Sequence, residues 1–175
     1  MSSLLAIVAL SLPLAAKPAS IDWHHNYREA RAIGISKQKP LAMFIASGKD
    51  GWAKILADGA FDAKIKNLLT ENYVAVFIDR DTTEGQKTIS AFGLGNQPAL
   101  IISNRAGDLQ ALRHEGTLTE TDLTVCLNRY SSASHVVTIT ESLFNATSRV
   151  TASYAPPTMP VYQNYYAPSF GGCST

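Results

Sequence analysis

The chain has 175 residues, 46% of them hydrophobic, and fifteen Lys and Arg against fourteen Asp and Glu give a formal net charge of +1. Near-neutrality removes the electrostatic case for nucleic acid or another polyanion as partner. Two cysteines exclude a disulfide-rich scaffold and any Cys-dominated zinc or iron–sulfur site, and the apolar share excludes wholesale disorder.

The charges are unevenly spread. Residues 17–130 carry 27 of the 29, and beyond them stand only Glu141 and Arg149. Residues 4–16 form an uncharged stretch broken by Pro13. It is too short to span a bilayer, which takes about 20 apolar residues, but it fits the hydrophobic region of a secretory signal. Residues 1–20 are accordingly read as a signal peptide. That reading makes the mature chain an exported protein, periplasmic or extracellular, with no stable membrane span after cleavage. A hydrophobic segment packed on the domain is the alternative. At the other end, residues 154–175 hold four prolines, four tyrosines and no charge, and read as a disordered or docking tail.

Between these ends the elements follow in order. Asp22 suits a helix N-cap, with Trp23, Tyr27, Ala30 and Ile33 at helical spacing, and Gly34 with the polar run after it ends the helix. Pro40 opens PLAMFIA, a buried strand, and SGKDG is a tight loop. Residues 52–70 have helical periodicity in Ile55, Leu56, Ile65, Leu68 and Leu69, with an irregularity at Gly59. YVAVFID, residues 73–79, is a second buried strand. Residues 83–92 form a short helix stopped by Gly93. PALIIS, residues 98–103, is a third strand, NRAG is a turn, and residues 109–113 pair back as a fourth. Residues 118–130 make a closing helix that buries Leu123, Cys126, Leu127 and Tyr130. No internal repeat is present. The order α-β-α-β-α-β-β-α predicts a layered α/β domain over residues 21–131. Residues 132–153 stay open between an edge strand in HVVTIT and a short helix over residues 139–150.

Three segments carry a resemblance. KPLAMFIASGKDGWAK, FDAKIKNLLTENYVAVFIDRD and GLGNQPALIISNRAGDL, in this order, are similar to the active-site strand and loop, the following helix and strand, and the Gly-x-x-Gly-Thr-Pro strand of thioredoxin-like proteins. The secreted and periplasmic branch is the one they resemble. The resemblance covers about residues 22–130. It implies a three-layer thioredoxin-like fold, a central four-stranded mixed sheet flanked by helices.

The same resemblance places the family's Cys-x-x-Cys pair at Asp50, Gly51, Trp52 and Ala53. In that family a helix N-terminus lowers the first thiol's pKa and the second cysteine resolves the mixed disulfide. No cysteine lies between residues 1 and 125, so no shift of register restores a dithiol. Asp50 is then expected to cap the helix start, and Trp52 either to rim the crevice or to lie on the core. Pro98 matches the family's cis proline, and Gln97 replaces the usual threonine before it. The resemblance implies that backbone beside this proline can pair with an extended peptide. The candidate peptide groove is therefore Asp50, Gly51, Trp52, Ala53, Gln97 and Pro98.

The remaining chemistry-bearing residues have plain readings. Cys126 falls on the buried face of the last helix and reads as an inert core thiol, whereas Cys173 in GGCST is the candidate reactive thiol. Adjacent histidines point about 100° apart on a helix, so His24 and His25 cannot chelate one metal, and His114 and His135 lack ligands at suitable spacing. No metal and no cofactor is expected. Asp79 and Asp81 end a strand and cap or face a crevice, with nothing to mark a catalytic pair. Asn145-Ala146-Thr147 fits a glycosylation sequon. The expected function is a redox-inactive binding or structural module whose partner is a protein or an extended peptide. The alternative is an atypical thiol-disulfide oxidoreductase using Cys173 or a partner's thiol.

Overall fold

The computed structural model describes residues 20–138, 140–143, 150–153 and 159. Helix α1 is Tyr27–Lys37, strand β1 Leu41–Ala46, helix α2 Ala63–Asn72, strand β2 Val74–Asp79 and helix α3 Thr83–Phe92. Strands β3 (Ala99–Ser103) and β4 (Gln110–Glu115), helix α4 (Glu120–Ser131), and strands β5 (Thr140–Leu143) and β6 (Val150–Ser153) follow. A 3-10 helix, Gly51–Ile55, stands between β1 and α2.

The strands form one mixed sheet in the order β2-β1-β3-β4-β5-β6. β1 is parallel to β2 and antiparallel to β3, and β4 is antiparallel to β3 and parallel to β5. All six residues of β1 are buried, as a central strand covered on both faces requires. Its pleat divides the core. Leu41, Met43 and Ile45 join Tyr27 and Ala30 of α1 and Ile89 and Phe92 of α3 on one face. Ala42, Phe44 and Ala46 join Ile65 and Leu69 of α2 and Leu123, Cys126 and Leu127 of α4 on the other. The result is the expected three-layer α/β arrangement, with six strands where four were expected.

Two of the expected elements are corrected. The first helix begins at Tyr27 and not after Asp22, because the Asn26 carboxamide oxygen accepts from the Arg28 and Glu29 N–H groups, at 2.9 and 3.2 Å. The residues before it are extended along β2: His24 N–H donates to Ala75 O, and Phe77 N–H donates to His24 O. Gly34 does not end this helix, which runs on to a left-handed cap at Gln38. A Cβ on Gly34 would lie 3.0 Å from Lys39 O and 3.2 Å from Leu41 Cδ2, so glycine lets α1 sit close over the entry to β1.

The second correction is the helix over residues 52–70. It is broken into the 3-10 helix and α2, because Leu118 N–H donates to Ile55 O and Ala57 N–H to Leu118 O, at 2.7 and 3.0 Å. Backbone committed to that pairing cannot continue a helical ladder. The chain re-enters helix where Asp62 Oδ1 accepts from Ile65 N–H at 2.6 Å.

Residues 132–153 add two strands to the sheet. Leu112 and Arg113 of β4 pair with Glu141 and Ser142 of β5, and Glu141 with Ala152 of β6. Glu141 fixes the addition to α4: it is buried, accepts from Arg129 Nη2 at 2.6 Å and also from the Tyr130 hydroxyl.

Candidate functional site

Ala46, the last residue of β1, organises the surface where the resemblance puts an active site. β1 register pairs it with Asp79 of β2, and the antiparallel register with β3, in which Ile45 faces Ala99, puts Pro98 across from it. Gly51 sits against it. A Cβ there would fall 3.1 Å from Ala46 C and 3.2 Å from Ala46 Cβ, a tight approach that glycine makes without any shift of the strand end.

The loop 47–50 is tied down by backbone and charge. Gly48 N–H donates to Asp79 Oδ1 at 3.0 Å, the same oxygen that accepts from Asp81 N–H. Asp79 is therefore a loop anchor. Gly51 N–H donates to Gly48 O at 2.9 Å, and Lys54 Nζ donates to Ser47 O at 2.9 Å. Asp50 stands at the cap position of the 3-10 helix but its side chain makes no cap bond, which corrects the expected capping role. The next backbone bond, Ala53 N–H to Asp50 O at 3.2 Å, is made without it. Asp50 is exposed and Ala53 half-buried.

Trp52 resolves toward the core. It is half-buried, stacks on Trp23 with ring centroids 5.8 Å apart, and lies 4.8 Å from the Phe61 ring. Trp23 in turn meets Phe44 edge-on at 5.4 Å. Phe44 and Phe61 belong to the core on the α2 and α4 face of the sheet, and Trp23 and Trp52 pack against it. Trp23 and Phe61 pack with Trp52, and neither was identified from the sequence as a site residue. Trp23 has helical spacing to Tyr27 and Ala30, which hid its extended backbone.

Pro98 departs from expectation. No peptide bond among the described residues is cis, so the Gln97–Pro98 bond is trans. In this form the loop before Pro98 is drawn inward by Arg80, whose buried guanidinium donates to both Gln97 O and Gly95 O. Arg80 also donates its own N–H to Ala46 O at 3.1 Å, joining the two halves of the site. On the far side of the loop, Gly95 N–H donates to Glu115 Oε2 at 2.8 Å. Glu115 is paired with Arg113 at 2.6 Å, and Arg113 caps Phe92 O and Gly93 O at the end of α3. Gln97 and Pro98 thus belong to a braced loop, and the Gln97 carbonyl is already committed to a cation. Peptide pairing at that carbonyl, as the cis-proline resemblance implied, is not supported by this geometry.

Burial pushes the Glu115 carboxyl up, but hydrogen bonds from Arg113 and Gly95 and the charges of Arg113 and Arg80 prevail, holding it below the ordinary value of 4.5. A depressed carboxylate contributes stability above its unfolded pKa and loses it as pH falls through the folded pKa. Glu115→Gln should therefore shrink the drop in thermal midpoint between about pH 6 and about pH 3, measured by circular dichroism against the parent chain. An unchanged acid limb would remove Glu115 from the brace.

The other candidates fall outside the site. Cys126 is buried, and burial first, then the Asp122 charge, pushes its thiol up to about 12, so it is an inert core thiol. Cys173 and the Asn145 sequon lie outside the described residues. His25 Nδ1 lies 3.2 Å from Phe77 O, His114 Nε2 lies 3.3 Å from Thr117 O, and His135 meets the Tyr130 ring edge-on. Among the described residues no group of three or more His, Cys, Asp or Glu could hold a metal ion. Among the same residues no helix is long and apolar enough to cross a membrane.

No family model matches the chain, and no curated protein matches it. Solved structures do. A DsbH oxidoreductase superposes with a TM-score of 0.52 at 14% identity, over 70% of this chain and 93% of that one. The fold is thioredoxin-like. A thioredoxin from Thermus thermophilus is similar at 17% identity with a TM-score of 0.49, over 62% of this chain and 85% of that one. The likeness to the DsbH oxidoreductase bears on the architecture alone.

Proposed function

We propose that the protein is an exported, redox-inactive thioredoxin-like domain that serves as a binding or structural module. The observation that carries this is chemical. Dithiol exchange needs a thiolate at the crevice, and residues 47–54 contain no sulfur, while the one thiol among the described residues is buried and held protonated. The surface left for a protein or peptide partner is the loop 47–53 with half-buried Trp52, where side chains and not the Gln97 carbonyl would make contact.

Insulin reduction tests the reading. With dithiothreitol as reductant, residues 20–175 should precipitate insulin no faster than the reductant alone. Turnover comparable to an ordinary thioredoxin would overturn the proposal. The converse variant is Asp50→Cys with Ala53→Cys. These positions are three apart and joined by the Ala53 N–H to Asp50 O bond, so the two thiols should close an internal disulfide under mild oxidation, read by mass spectrometry. A folded double variant without that disulfide would show that residues 50–53 are not the counterpart of the redox pair.

A further inference from the structure

Met159 is the one described residue beyond β6, and it is not at the surface. It is 1% exposed and belongs to the apolar cluster of Tyr27, Ala30, Leu41 and Ile101 on the α1 side of the sheet. Its N–H donates to Asp108 O at 2.6 Å. Met159 belongs to the stretch, residues 154–175, that reads from the sequence as a disordered or docking tail.

The acceptor is held in advance. Asp108 lies in the turn between β3 and β4, where its Oδ1 accepts from Asn104 Nδ2 at 2.7 Å and its N–H donates to Asn104 Oδ1 at 3.2 Å. One residue earlier, Gly107 O accepts from Arg31 Nε of α1 at 2.6 Å. The turn is therefore fixed to itself and to α1, and its Asp108 carbonyl is a rigid acceptor beside an apolar face. A methionine suits such a seat, because an unbranched thioether fills irregular space among side chains already packed.

We propose that Met159 is a latch that fastens the C-terminal segment to the domain, its side chain filling the α1 face of the sheet and its backbone bonding to the Asp108 turn. β3 leaves Pro98 toward Ser103 and its turn, so the latch lies at the end of the sheet opposite the Ala46–Pro98 surface.

The full chain carries the test. In hydrogen exchange by NMR, the Met159 amide should exchange about a hundredfold or more slowly than an unstructured amide. In thermal unfolding, Met159→Ala should lower the midpoint by roughly 5–15 °C, while Met159→Leu, which keeps the volume, should stay within about 4 °C of the parent. An amide exchanging at the unstructured rate, or an alanine variant with the parent's midpoint, would overturn the latch. The exchange measurement needs no variant, so a misfolded substitution cannot hide the answer.

Discussion

Phe44→Ala is expected to be the most damaging single truncation in the domain. Phe44 is fully buried at the centre of β1, edge-on to Trp23 at 5.4 Å and tilted against Phe61 at 5.4 Å. Removing a buried phenylalanine costs about 3–5 kcal/mol, from lost transfer energy plus the cavity that remains. In a domain of this size that lowers the thermal midpoint by roughly 6–20 °C. A second consequence is local. Trp23 loses its nearer edge-on partner and Phe61 loses a neighbour, which loosens the rings on which Trp52 stacks. Tryptophan emission of the folded variant should move to longer wavelength as water reaches the pair. A variant with the parent's midpoint and emission would mean that the aromatic cluster does not hold the 3-10 helix against β1.

The parts of the fold that could be read from the sequence are those decided locally. β1 is six consecutive apolar residues after Pro40, and such a run has few other uses at that length. α3 carries its own punctuation: Thr82 Oγ1 accepts from Gly85 N–H, and Gly93 takes the left-handed cap conformation. What failed was decided far along the chain. Ile55 and Leu56 have helical spacing to the residues after them, yet their backbone turns to Leu118. Periodicity reports which side chains are buried and says nothing of where the carbonyls go. Trp23 misled for the same reason, since apolar residues at 23, 27 and 30 are buried both in a helix and in the extended-then-helical path the chain takes. Asn26 was the better cap signal, because a short carboxamide at that position satisfies two orphan N–H groups.

The candidate site was legible in place but not in wiring. The loop after β1, the aromatic at position 52 and the proline opposite Ala46 were all found from wording that resembles thioredoxin-like proteins. Asp79 was noticed, though its work is to hold Gly48 and Asp81. Arg80 left no trace, because an arginine after a strand is ordinary on a surface and here it is buried. Met159 was hidden in a Pro-rich stretch whose composition fits disorder as well as docking and marks no single residue as packed.

Arg80→Met should release the loop before Pro98. The methionine keeps an apolar stem of similar reach, so packing along the stem is largely retained and the loss is that of the guanidinium. Two carbonyls, Gln97 O and Gly95 O, then lack the donors that Arg80 supplies. Hydrogen bonds to a charged group contribute about 1.5–3 kcal/mol each, and the two share one cation, so the combined cost should be about 3 kcal/mol. The midpoint should fall by roughly 6–12 °C. Arg80→Lys separates charge from geometry. An ammonium is a point donor and cannot span both carbonyls as the planar fork does, so it should recover only part of the loss. Hydrogen exchange locates the effect. Gly95 N–H, bonded to Glu115 across the loop, should exchange faster in Arg80→Met, while amides of β2 and α4 stay slow. If the lysine variant matched the parent in midpoint and in Gly95 exchange, charge alone would suffice and the two-carbonyl grip would not be what holds the loop before Pro98.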